Sequence, residues 1–201
     1  MSEQVWVTDA LVDLEQVYHF DQPEEVAMRN FKKKLDQTYQ NAEFADLEQN
    51  LEGTAVLTRV VNPINPVPHL MTNTYMFVSE QLRDLLRGFD LGEIHFRDVT
   101  LYVNDEQQIP GNPNYYYVNI IETKKSFTYT ESKRLIPRST YYDFNCSDST
   151  IVVNTPQTGG VDLWMEPLLH GAIFMSDRLY QALQGSGLVE RVSFIKCVMA
   201  D

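Results

Sequence analysis

The sequence predicts an α+β fold in which a mainly antiparallel sheet is bracketed by two repeated strand–capped helix–strand units, with a small N-terminal α/β layer. Three observations predict it. The stretch FVSEQLRDLLRG, residues 77–88, returns in similar form as FMSDRLYQALQG, residues 174–185. A stretch rich in tyrosine and β-branched residues lies between the two copies, and an acidic segment precedes both. At 201 residues the chain can bury a substantial core.

The first third is predicted to form strands and one helix. VWVTD (residues 5–9), QVYHF (16–20) and TAVLTRVV (54–61) are short β-type runs. PEEVAMRNFKKKL (23–35) begins with proline and acids and ends with lysines, a distribution that suits the helix dipole. Three prolines within NPINPVPHL (62–70) exclude a helix there. We therefore divide the chain into an acidic N-terminal layer (1–62), a proline-rich connector (63–69) and a main domain (70–201). From the length of the chain we expect these parts to form one compact unit overall.

Each repeated unit has the signals of a strand followed by a capped helix. Ser79 and Ser176 follow short apolar runs and are suited to be structural helix N-caps, because a serine hydroxyl can accept a hydrogen bond from a first-turn amide. Gly88 and Gly185 are placed to end the two helices. A further apolar run follows each helix. The pattern leaves open whether each helix connects parallel strands or lies against antiparallel ones.

The stretch between the repeats predicts strands in hairpins. YYYVNII (115–121), SFTYTES (126–132), RLIPRSTYYDF (134–144) and STIVVNT (149–155) are rich in aromatic and β-branched residues. We interpret the tyrosines first as strand packing and second as a protein interface, where tyrosine is enriched. They are Tyr115, Tyr116, Tyr117, Tyr141 and Tyr142.

The charge distribution predicts a basic partner. The chain has a net charge of −12, and residues 1–52 hold 12 acids and only 4 bases. Such a field repels nucleic acid and anionic membranes and attracts a basic protein; the alternative is that the acidity only keeps the protein soluble. The candidate partner-binding residues are Asp9, Asp13, Glu15, Asp21, Glu24 and Glu25.

The sequence contains no recognised catalytic or metal-binding motif. The four histidines are never within one helical turn of each other, and no Cys/His cluster occurs, so we expect neither metal nor cofactor. Neither capping serine has the flanking glycines of a nucleophile elbow. The polar stretch DLWMEPLLHG keeps one alternative open, an enzyme with Asp162, Glu166 and His170 in one cleft.

The sequence also predicts where the protein acts. No apolar run reaches the roughly 18 residues that span a bilayer, and the N-terminus lacks the basic and apolar regions of a signal peptide. Cys146 and Cys197 suit a reducing interior. We expect a cytoplasmic protein, and the oligomeric state is not predicted.

The second repeat resembles a known family. Residues 161–199 are similar to the C-terminal signature of a bacterial immunity-protein family, the eleventh immunity class of polymorphic toxin systems, and the resemblance covers about residues 70–199. The resemblance implies a non-catalytic inhibitor that binds a cognate toxin; a chaperone-binding or secretion adaptor is a further alternative. The matching positions are Asp162, Trp164, Phe174, Ser176, Asp177, Leu179, Leu183, Gly187, Leu188 and Phe194.

Overall fold

The structure is a computed structural model that describes residues 4–11, 54–57, 68–73, 75–103, 107–108, 114–154, 160–189 and 192–200. The strand predicted at 16–20 and the helix predicted at 23–35 lie outside these residues. The chain divides into two compact units. The first combines Met1–Val17, Pro68–Arg97 and Tyr116–Asp201, and the second combines Tyr18–Val67 and Asp98–Tyr115.

The described residues form short strands and two helices, mostly in antiparallel sheets, which confirms the α+β class. The strands are β1 (Val5–Thr8), β2 (Thr54–Leu57), β3 (Leu70–Asn73), β4 (Tyr75–Ser79), β5 (Ile94–Val103), β6 (Gln107–Gln108), β7 (Tyr115–Ile120), β8 (Ile136–Pro137), β9 (Tyr142–Asp143), β10 (Val152–Asn154), β11 (Leu163–Met165), β12 (Ile173–Ser176), β13 (Ile195–Lys196) and β14 (Val198–Ala200). The helices are α1 (Glu80–Leu86) and α2 (Asp177–Ser186).

A four-stranded sheet in the order β11-β12-β1-β13 lies at the centre of the first unit. Strand β1 pairs antiparallel with β12, where Val5 lies opposite Ser176, and antiparallel with β13, where Trp6 lies opposite Lys196. Strands β12 and β13 therefore run parallel to each other, with the N-terminal strand between them. The chain passes from β12 to β13 through α2.

A second sheet contains β3, β4, β7 and β5 in adjacent positions, with β3 antiparallel to β4. Strand β7 lies between β4 and β5, which α1 joins along the chain. In the second unit, β2 pairs in parallel with the later part of β5, with Thr54 opposite Thr100. Strand β6 pairs antiparallel with the same part of β5.

Both helices begin at a capping serine, and α1 ends at its predicted glycine whereas α2 does not. The amides of Leu82 and Leu179 donate to the hydroxyl oxygens of Ser79 and Ser176 at 3.2 and 3.3 Å. Helix α1 ends before Gly88, with Arg87 as its C-cap. The prediction that Gly185 ends the second helix is wrong, because α2 continues to Ser186. The residue after it, Gly187, has the left-handed backbone (φ 69°) that glycine adopts without strain.

The four-stranded sheet is covered on both faces. Along β12, Ile173 and Met175 belong to a core cluster with Leu82 of α1 and Leu179 of α2. The intervening Phe174 belongs to a second cluster with Trp164, Val5, Leu169 and Ile151. Because successive strand side chains point to opposite faces, one face of the sheet packs on the helices and the other on the segment around residues 127–153.

Candidate partner-binding surface

Asp162, the first member of the predicted enzyme cluster, is a structural residue whose carboxylate bonds to other parts of the chain. Its side chain is buried, and its carboxylate accepts hydrogen bonds from the hydroxyl of Ser176 at 2.5 Å, the amide of Asp90 at 2.9 Å and the guanidinium of Arg178. Burial alone would raise the pKa of Asp162, but the bonds from Arg178, Ser176 and the Asp90 amide outweigh it and hold the pKa below its usual value. A charged, fully bonded carboxylate is unsuited to proton transfer at neutral pH.

Glu166 is the second member, and it joins two segments of backbone. Its Oε2 accepts from the amides of Ser126 and Phe127 at 2.7 and 2.9 Å, and its Oε1 accepts from the amide of Leu168 at 3.3 Å. The side chain is buried, and this burial raises its pKa despite the three amide donors. Glu166 therefore fixes the start of the 126–129 segment against the turn that follows β11.

His170, the third member, lies on the surface instead of beside the two buried carboxylates. Its side chain is 53% exposed, and Nδ1 lies 3.3 Å from a carboxylate oxygen of Asp143. The other oxygen of Asp143 accepts from Nε of Arg138 at 2.5 Å. The ring of Tyr141 lies 4.8 Å from the His170 ring. The three residues thus have separate partners, and between them along β11 Trp164 is fully buried in the core.

The capping serines also have complete sets of partners. The hydroxyl of Ser79 lies 2.9 Å from Nδ1 of His69, and that of Ser176 donates to Asp162. Both serines are buried. Cys146 and Cys197 are buried too, and burial raises the pKa of each thiol, so the reactive thiolate is disfavoured.

The predicted acidic surface falls almost entirely outside the described residues. Of its six members only Asp9 is described, and its carboxylate is buried and accepts from the amide of Cys146 at 2.8 Å. Asp9 is therefore a structural residue that fixes β1 to a distant segment, and its charge does not face solvent. The other five acids are Asp13, Glu15, Asp21, Glu24 and Glu25.

An exposed surface forms around the β8–β9 hairpin, and we call it the hairpin surface. The rings of Tyr129 and Tyr142 stack with centroids 5.7 Å apart, and Ile136 lies opposite Asp143 across the hairpin. The amide of Tyr142 donates to the carbonyl of Leu168 at 2.9 Å. These contacts bring distant parts of the chain together. The hairpin surface comprises Tyr129, Ile136, Arg138, Tyr142, Leu168 and His170.

Three apolar side chains of the hairpin surface are unusually exposed to solvent. Tyr129 is 54% exposed, Ile136 55% and Leu168 39%, and besides Val198 they are the large apolar residues exposed within the described part of the chain. The backbone pairing of the hairpin and the bond from Tyr142 to Leu168 bring the segments that carry them close together. Isolated exposed apolar residues are common, whereas several in neighbouring segments are typical of a contact site. The hairpin surface is therefore the candidate partner-binding surface. The sequence indicated Tyr141 and Tyr142 only through their residue type.

The described residues contain neither a metal-binding cluster nor a membrane-spanning helix. Among them, no group of three or more His, Cys, Asp or Glu side chains is placed to hold a metal ion. No helix within the same ranges is long and apolar enough to cross a membrane.

Comparison with known proteins identifies a family. A family model described as "Immunity protein family (Imm11)" matches residues 9–198. This match confirms the resemblance found in the second repeat and extends it through the acidic first third, well before residue 70. No curated protein matches the chain.

Proposed function

Because the chain belongs to the Imm11 family of immunity proteins, we propose that it binds and neutralises a co-encoded antibacterial toxin by stoichiometric protein–protein binding. The observation that carries this proposal is the family match, which spans residues 9–198 of the 201. An immunity protein protects the cell that makes it, so its activity lies in the complex it forms.

The chemistry of the described residues supports binding over catalysis. Asp162 and Glu166 are buried and bonded to the chain's own donors, and His170 lies apart from both on the surface. The enzyme alternative therefore gains no support from the geometry of these three residues. The hairpin surface, in contrast, presents tyrosine and arginine side chains, which are enriched in protein interfaces, beside exposed aliphatic ones.

The charge of the chain supports a basic toxin that acts in the cytoplasm, such as a nuclease. The net charge is −12, with two thirds of it concentrated in residues 1–52. Opposite charge on two partners accelerates their encounter, and rapid capture matters for an inhibitor that must act before the toxin does. In this proposal the inhibitor is itself cytoplasmic, and the acids that steer the toxin include Asp13, Glu15, Asp21, Glu24 and Glu25.

Co-expression of this chain with the toxin domain encoded beside it tests the proposal. We expect restored growth, and a purified complex with the two chains in equal amounts. An unrelated acidic protein of similar size and charge is the control, and it should neither restore growth nor co-purify. Titration of the toxin's activity distinguishes binding from catalysis. Protection complete at a small fraction of one inhibitor per toxin would contradict stoichiometric binding and favour an enzyme.

A further inference from the structure

We draw no further inference here: the strongest candidate, the half-buried aromatic cluster that Trp6 of β1 and Tyr180 of α2 form with Phe194 just before β13, carries none, because its two charged neighbours, Asp177 and Lys196, are opposite in sign and nothing in the structure shows what covers it.

Discussion

The hydroxyl of Ser176 donates to the carboxylate of Asp162 at 2.5 Å while its oxygen accepts from the amide of Leu179 and so caps α2. Ser79 has a corresponding arrangement, with its oxygen on the amide of Leu82 and Nδ1 of His69 at 2.9 Å. Each capping serine lies at the end of one strand and bonds to a residue just before the strand paired with it: His69 before β3 and Asp162 before β11. Two buried hydroxyls are stabilised by these paired contacts, and neither is open to a substrate.

Removing the Ser176 hydroxyl should destabilise the protein without affecting toxin neutralisation. We expect Ser176→Ala to lower the free energy of unfolding by about 1–2 kcal/mol, because the cap is lost and a buried acceptor on Asp162 loses a donor. Urea denaturation measures this change. Ser139→Ala is the control, since Ser139 is exposed in the hairpin turn. If Ser176→Ala abolished protection at unchanged stability, the hydroxyl would have a chemical role that its contacts do not suggest.

Asp162→Asn should lower the free energy of unfolding more than Arg178→Gln does, and the effect of Asp162→Asn should depend on pH. We expect about 2 kcal/mol for Asp162→Asn, since a buried carboxylate with several donors is replaced, and under about 1 kcal/mol for Arg178→Gln, whose side chain is 67% exposed. Because the folded-state pKa of Asp162 is lowered, its contribution is complete above about pH 4 and disappears as pH falls through the folded pKa.

The difference in free energy of unfolding between the original protein and Asp162→Asn should therefore decrease as the pH falls. Urea denaturation of both proteins at several pH values measures this difference. If the difference stayed constant down to the lowest pH at which the protein folds, the carboxylate would have the same pKa in the folded and unfolded states.

Glu166 should show the opposite pH dependence. Burial raises its folded-state pKa, so between the unfolded value of about 4.3 and the folded value the native protein binds more protons than the unfolded chain. The free energy of unfolding of the original protein, relative to Glu166→Gln, should fall as pH rises through this window. Urea denaturation of both proteins from about pH 4 to about pH 7 measures it. A difference that increases with pH would contradict the raised pKa.

The sequence predicted the features of this fold that depend on neighbouring residues. The α+β class follows from local patterns of strand and helix, and the structure confirms it. The end of α2 was misplaced because Gly185 and Gly187 are both possible ends, and only the backbone angle of Gly187 distinguishes them. A local pattern cannot make that distinction when two glycines lie two residues apart.

Features that depend on contacts between residues far apart in the sequence could not be predicted from local patterns. The burial of Asp9 depends on the amide of Cys146, 137 residues along the chain. An acid in an acidic segment therefore looks like a surface charge until its partner is known. The hairpin surface likewise depends on pairing between residues near 142 and 168, which no short stretch contains. The sequence identified His170 as a candidate residue of the alternative enzyme site but could not place it beside Asp143.

Charge reversal in the first third should slow capture of the toxin. We expect the combined substitutions Asp13→Lys, Glu15→Lys, Glu24→Lys and Glu25→Lys to reduce the association rate by about tenfold or more at low salt, because these acids attract a basic partner over distances up to the Debye length, about 10 Å at 0.1 M. The effect should shrink as salt is added, since screening removes the same attraction from the unaltered chain. Stopped-flow association with the inactivated toxin domain measures both rates.

Asp9→Asn provides the contrast for that experiment. Asp9 is buried against the amide of Cys146, so its substitution should lower the free energy of unfolding by about 1–3 kcal/mol while the folded variant associates at the normal rate. Unchanged association by the four-residue variant would locate the toxin's contact outside the acidic segment. In that case steering would have to come from the rest of the chain, whose charge is far more evenly balanced.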